Sequence, residues 1–397
     1  MSGRRAMTGV GVVLAIGVLG IAAGVVCATR IEAPAALSAE RQAELASWLL
    51  ENGREPADYV AGQFDDHDVV FLGEMHRIRH DVRFVQSLLE PLYHRGVRVL
   101  ATEFGRREDQ VDIDALLAAA TWDEALAREI TFRQFVWWGF QEYVDVYRAA
   151  WRLNSGLPEG APRMRIIGVN DSPDWSFIET QADRDRSEVK RKVWRGGSEK
   201  HWAQAILDAV AAGEKVLVHC GLHHAFTAYR QPIVIDGAFS HFDRDPRCGN
   251  HVYDALGERT ATLSLHAPWS GAGGYGDRMR HPADGIIDAL MLALGPRPVG
   301  FDLSAGPFGE LRVDDAVYRH GYGDFKLADL CDGWIYTQPI SRYEGVTPIA
   351  DWINGDNLAH ARAQSPNPAY RDASSEAFNL AIARDAAMAQ RWANRLR

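Results

Sequence analysis

Glu74 and His76, separated by one residue, form with Glu103, His219, His223 and His224 the set of side chains best suited to proton transfer or metal binding. A carboxylate that holds one imidazole nitrogen leaves the other free to act as a general base. Two histidines and two carboxylates converging on one point can alternatively hold a divalent ion and acidify its water. Each piece also has a plainer reading. A Gly-Glu-x-His stretch suits any surface loop after a strand, and Glu103 at the end of an apolar run could be a structural partner of Arg106 or Arg107. Buried without a partner, such a carboxylate would cost several kcal/mol. His219 sits inside an apolar run and reads as a core histidine, while His223 and His224 are adjacent, so one of them is expected in a pocket. Arg77 and Arg79 place His80 on an exposed turn, Trp137-Trp138 reads as core, and His266 could simply cap a strand.

These residues have to be positioned by the elements around them. Short β-branched runs at 68–73, 97–104, 164–169, 215–220 and 260–266 predict buried strands, with later ones at 298–303 and 333–337. Between them, Val82, Val85, Leu88, Leu89 and Leu92 keep helical spacing over 79–95, a mainly helical insertion fills 108–155, and the charged stretch 183–212 reads as helix. The stretches 267–282 and 365–368 read as loops and 374–396 as a final amphipathic helix. Strands alternating with helices predict an α/β fold, a mostly parallel sheet covered on both faces. In such sheets ligands bind outside the carboxyl ends of the strands, where Glu74, His76, Glu103, Asn170, Asp171, His219, His223, His224 and His266 fall.

The 397 residues are 47% hydrophobic and 24% charged, which excludes a disordered chain and a polytopic membrane protein. A net charge of −10 without a basic block sets nucleic-acid binding aside. Arg4-Arg5 followed by the apolar run 7–28 predicts a signal peptide or N-terminal membrane anchor over 1–28, leaving 29–397 outside the cytoplasm as a single α/β domain. An exported or periplasmic protein results, membrane-bound if the segment is uncleaved. In that compartment Cys220, Cys248 and Cys331 leave an odd count, open to a Cys220–Cys248 bridge or to buried free thiols.

Phe71-Leu72-Gly73-Glu74-Met75-His76, then Glu103, then Trp137-Trp138 leading to Tyr143, then Arg165–Asn170 and Val218–Ala225, together resemble the ChaN-like haem-binding lipoproteins. The wider superfamily joins them to Tiki-type metalloproteases, erythromycin esterases and a bacterial toxin domain. The resemblance runs from Asp68 to Ala225 in order, and it matches Glu74, His76, Glu103 and His224 to the superfamily's acid and histidine positions. Arg77 stands where ChaN-like proteins usually carry Asp, and the Glu-to-His spacing is one shorter than in the esterases.

Two functions follow. One is a hydrolase acting on an ester or peptide bond of a small molecule or peptide. Its metal-assisted form uses Mn, Co or Zn on His76, Glu103 and His224, with Glu74 as base or orienter. Its metal-free form uses His76 as base, Glu74 or Glu103 as orienter and His224 against the developing charge. Trp138, Tyr143, Asn170, His223 and His266 would line the substrate site. The other function, implied by the resemblance, is a haem- or iron-binding protein without catalysis.

Overall fold

The computed structural model describes residues 37–396, so the signal peptide or anchor expected at 1–28 lies outside the described residues. The chain begins with helices α1 (Ala39–Asn52) and α2 (Pro56–Gln63) and then enters strand β1 (Val69–Glu74). Helix α3 (Arg79–His94) leads to β2 (Val99–Arg106). Helices α4 (Gln110–Ala118), α5 (Glu124–Gln134) and α6 (Gln141–Gly156) precede β3 (Arg165–Asn170). After α7 (Ser187–Val193) and α8 (Glu199–Ala211) come β4 (Val216–Gly221), the short α9 (Leu222–Ala225) and a hairpin of β5 (Pro232–Ile235) and β6 (Ala238–Phe242). Helix α10 (Cys248–Leu256) and β7 (Thr260–Leu265) follow, then the small pair β8 (Trp269–Ser270) and β9 (Met279–Arg280). Helix α11 (Ile286–Leu294), β10 (Val299–Asp302) and β11 (Gly333–Tyr336) complete the sheet. Helices α12 (Leu358–Ala363), α13 (Ser375–Ala386) and α14 (Met388–Arg395) close the described chain.

The seven-stranded sheet has the order β10-β11-β7-β1-β4-β2-β3, parallel throughout except for the antiparallel β10–β11 pair. The expected α/β class holds. The central strands are continuous apolar runs because both faces are covered. Val70, Leu72, Leu100 and Leu217 face a cluster shared with α3 and α6, whereas Val69, Phe71, Val99 and Val218 face one shared with α8 and α10. All eight are buried, so truncating one of the leucines to Ala should cost about 2–5 kcal/mol. Because β4 lies between β1 and β2, Glu74 pairs with Gly221 and Thr102 with His219. That register gathers the strand ends bearing the reactive side chains.

Some elements differ from expectation. The stretch 183–212 is not one helix. Arg195 (φ 52°) and Gly196 (φ 74°) turn left-handed and separate α7 from α8. The tail breaks into α13 and α14 at Ala387, and the loop expected at 267–282 contains β8 and β9. Cys220, Cys248 and Cys331 are free, buried thiols. Among the described residues, no helix is long and apolar enough to cross a membrane.

Candidate functional site

Glu74, the last residue of β1, is fully enclosed and receives three side chains. His219 Nε2 lies 2.7 Å from one carboxylate oxygen, and the Tyr143 hydroxyl donates to the other at 2.5 Å. His76 Nδ1 approaches that second oxygen at 2.9 Å. Burial pushes the Glu74 carboxyl up, but the attraction and hydrogen bonds of His219 and His76 outweigh it and hold the group near 2. An ionised carboxylate only accepts, so His76 donates to it through Nδ1–H and presents Nε2 to the cavity.

The backbone turn after His76 fixes that ring. Arg77 is left-handed (φ 71°), a conformation that non-glycine residues rarely adopt, and its N–H donates to the Tyr143 oxygen at 3.0 Å. The Arg77 side chain folds over Trp138, with its guanidinium carbon 4.6 Å from the ring centroid. Arg77 is therefore buried rather than on an exposed turn. His80 too is largely enclosed, its Nδ1 2.8 Å from Gln338 Nε2, and burial lowers its pKa to about 3.

Glu103 stands across from His76. One of its oxygens is 3.5 Å from His76 Nε2, and the other accepts the Gly221 N–H at 2.6 Å and lies 3.8 Å from His224 Nε2. Neither Arg106 nor Arg107 takes it, since these pair with Asp109 and Asp171. Glycine at 221 is a steric requirement, because a Cβ there would come within 2.7 Å of His76 Cε1. Glycine at 139 does similar work further out, where a Cβ would meet the Trp352 ring at 2.5 Å in the bend that presents Trp138.

His224 is backed by Glu199, a residue the sequence reading missed. Its Nδ1 is 3.0 Å from Glu199 Oε2, an ion-pair contact without the alignment of a hydrogen bond. Glu199 also accepts from Arg247 Nη1 at 2.9 Å and from the Cys248 N–H at 2.8 Å. Burial pushes the Glu199 carboxyl up, but His224 and Arg247 hold it near 2. Burial opposes the His224 charge, yet Glu199 and Glu103 outweigh it and raise the pKa above the ordinary histidine value.

These groups open onto a cavity of about 730 Å³ lined by His76, Glu103, Asn170 and His224 and walled by Phe104, Trp138, Trp175 and Trp202. Of the residues expected to line a substrate site, Trp138 and Asn170 do so. Asn170 donates to the Glu103 carbonyl at 3.0 Å, and its Oδ1 has no partner. Tyr143 does not reach the cavity; it is 1% exposed and its hydroxyl serves Glu74. His223 turns the other way, 3.2 Å from the Tyr318 hydroxyl, and burial together with Arg247 lowers its pKa to about 3. His266 is also absent from the lining: wholly buried, it lies 3.2 Å from Asp288 in a separate cluster with His281 and Trp334. Its position at the end of β7 suggested the cavity, but β7 and β11 carry it to another part of the crevice.

The metal expectation does not find its geometry. His76, Glu103 and His224 do converge, but among the described residues no group of three or more His, Cys, Asp or Glu side chains could hold a metal ion. Glu103 commits one oxygen to the Gly221 N–H, which leaves its other oxygen open toward His76 Nε2 at 3.5 Å.

Residues 60–170 match the family model described as haem-binding uptake, Tiki superfamily, ChaN. That stretch contains Glu74, His76, Glu103, Trp138 and Tyr143 and stops short of His219, Glu199 and His224. No curated protein matches the sequence. Among solved structures, a structural-genomics protein from Bacillus cereus shares 11% identity, covering 77% of this chain and 99% of its own, with a TM-score of 0.50. An erythromycin esterase shares 10% identity over 74% of this chain and 95% of its own, with a TM-score of 0.46. The ChaN of Campylobacter jejuni, described as binding haem cofacially, shares 13% identity over 56% of this chain and 87% of its own, with a TM-score of 0.36. At such identities the likeness is one of fold, and the Bacillus cereus structure carries it.

Proposed function

We propose that this chain, whose residues 60–170 match the ChaN family model of the Tiki superfamily, is an exported hydrolase that cleaves an ester or amide bond with two cavity-facing histidines, His76 and His224, by a route that needs no metal. The observation that carries the reading is His76, whose Nδ1 is tied to a buried, ionised Glu74 while its Nε2 faces the cavity 3.5 Å from Glu103. Glu74 orients the ring and stabilises the imidazolium that forms during reaction, and His219 and Tyr143 hold Glu74 in place. His224, whose charged form Glu199 and Glu103 favour, supplies the acid. His76, oriented by Glu74, and His224, whose charged form its carboxylates favour, divide the base and acid roles between them.

The chemistry then balances. A water held between His76 Nε2 and Glu103 gives its proton to Nε2 as its oxygen bonds to the substrate carbonyl carbon. The tetrahedral intermediate collapses by breaking the bond to the leaving oxygen or nitrogen, which takes a proton from His224. The proton on His76 returns to His224 through solvent and restores the resting state. General acid–base assistance of this kind contributes about 10²–10⁴-fold. Purified full-length chain and its His76→Ala variant, assayed on a panel of aryl and alkyl esters, test the reading. Turnover confined to the wild-type chain is the expected result, and equal turnover by the folded variant would overturn it.

A haem-binding reading has an observation of its own, in the aromatic walls and two cavity-facing imidazoles. Haem iron accepts histidine as an axial ligand, and the bound group would supply iron capture rather than hydrolysis. His76 or His224 would have to be that ligand, because no tyrosine lines the cavity. A saturable Soret band on adding hemin, lost in one of the two histidine variants, would replace the hydrolase reading.

A further inference from the structure

The connection from β3 to α8, residues 171–198, packs its own small cluster of Ile178, Val189 and Val193 with Trp175 and Trp194 and forms one wall of the cavity. It lies between Asn170 and Glu199, so the segment that supplies the carboxylate behind His224 also shapes the cavity mouth. Arg184 from this wall, and Lys200 just beyond it in α8, both line the cavity. Arg184 is half-buried and Lys200 exposed, and neither forms an ion pair with a described carboxylate. A third cation, Arg77, lies deeper on the lining. It is 4% exposed, and its Nε has no hydrogen-bond partner.

The acids of the lining are largely spoken for. Asp171 accepts from Arg107 at 2.9 Å, and Glu199 takes Arg247 and His224. Glu103 accepts the Gly221 N–H, and Asp385 sits within the attraction of both Arg77 and Arg391. Asp245, exposed at the rim, and Asp385 are the lining carboxylates that form no ion pair with a described cation. The cavity therefore offers uncommitted positive charge beside aromatic walls, in a chain whose net charge is −10. Cations without a described carboxylate partner beside low-dielectric walls attract ligands of the opposite sign.

We propose that the ligand of this cavity is a bulky apolar compound carrying an anionic group, a carboxylate, sulfonate or phosphate, which Arg184 and Lys200 hold at the mouth while the apolar body lies against Trp138, Trp175 and Trp202. As a statement about substrate this rests on the hydrolase reading; as a statement about the cavity it does not. An anionic ester and haem with its propionates share this chemistry, and the test separates them.

Matched aryl esters that differ only in a distal carboxylate or a neutral isostere are assayed with the full-length chain and with an Arg184→Gln/Lys200→Gln double variant. In parallel, the binding of anilinonaphthalene sulfonate and of an uncharged naphthylamine dye is measured on the same two proteins. Steering predicts a preference for the anionic member of about tenfold at low salt. That preference should shrink with added salt and in the double variant, and persist in Arg152→Gln, whose side chain is off the lining. If no ester is cut but the anionic dye is still preferred through Arg184 and Lys200, the hydrolase reading fails and the inference stands. Competition of that dye by hemin would then name haem as the source. Equal affinity for both dyes, or a preference untouched by the double variant, overturns the inference.

Discussion

Among the described residues, Glu74 and Asp288 are buried carboxylates near the carboxyl ends of strands that each hold two histidines, and their difference shows what makes one of them a site. In the first, Glu74 holds His219 and His76, and His76 opens onto the cavity. In the second, Asp288 holds His266 at 3.2 Å and His281 at 2.9 Å, and Trp334 Nε1 donates to His266 Nδ1 at 3.2 Å. The chemical inventory is nearly the same, and both carboxyls are held below their usual range. For Asp288, burial works against the charge and the two histidines overcome it. The second network is sealed. Ala283, Asp284 and Gly285 turn left-handed in succession, fold α11 back and seat Asp288 against His281, and His266, Asp288 and His281 are all buried. A carboxylate–imidazole pair is thus structural when both ring nitrogens face protein and becomes chemical when one faces an enclosed space that a substrate can enter.

Five outcomes would sharpen or break this contrast. His76→Ala should lower kcat/KM by up to about 10⁴-fold, with circular dichroism and Tm close to wild type. Asp288→Ala should do the reverse. Leaving two buried histidines without their acceptor should cost about 3–5 kcal/mol in denaturant unfolding, while turnover per folded molecule stays unchanged. Lost turnover in a fully folded Asp288→Ala protein would mean that the two networks are one. Gly221→Ala should reduce turnover about tenfold, because the added Cβ forces the His76 ring by several tenths of an ångström. A crystal structure of that variant with His76 unmoved would remove this explanation.

The smallest effect is a shift in pH dependence. Removing the Glu199 charge with Glu199→Gln should move the alkaline limb of the kcat profile to lower pH, since Glu199 is what raises His224. The signs for stability differ between the two groups. His224, raised above its ordinary value of 6.5, contributes stability that is complete below that pH and is lost as pH rises through the higher folded value. Glu74, lowered from 4.5 to about 2, contributes stability present above 4.5 and lost as pH falls toward 2. Urea unfolding at pH 3 and pH 6 should therefore show a Glu74→Gln variant losing its disadvantage to wild type in acid.

Much of the first network could be read from the chain. Glu74, His76 and Glu103 follow the apolar runs of β1 and β2, and a parallel sheet places such residues in its crevice. Glu199 could not be read in this way. It begins α8 inside a stretch crowded with charges, and nothing local separates it from Glu188 or Lys200; its role arises because α8 packs against α10 and carries it beside Arg247. Tyr143, expected to line a substrate site, instead sends its hydroxyl to Glu74, because the aromatic pattern of the segment does not say where a hydroxyl ends. His219 was read as a core histidine, and it is one, yet the atom it holds is the Glu74 carboxylate. His266 and His223 show the converse, since a histidine after a strand can point to either side of the sheet end.

The sequence by itself determined the periodicities, and through them the α/β class, the strand positions and the rule that reactive side chains would gather at one edge. These are local properties, fixed by side-chain alternation and burial along each segment. Only the tertiary structure decided which imidazole nitrogen meets a carboxylate and which meets open space. The order β7-β1-β4-β2, the left-handed turn at Arg77 and the missing Cβ at Gly221 settle that by placing atoms far apart in the chain within hydrogen-bonding distance. A proton's position depends on such distances, and no periodicity encodes them.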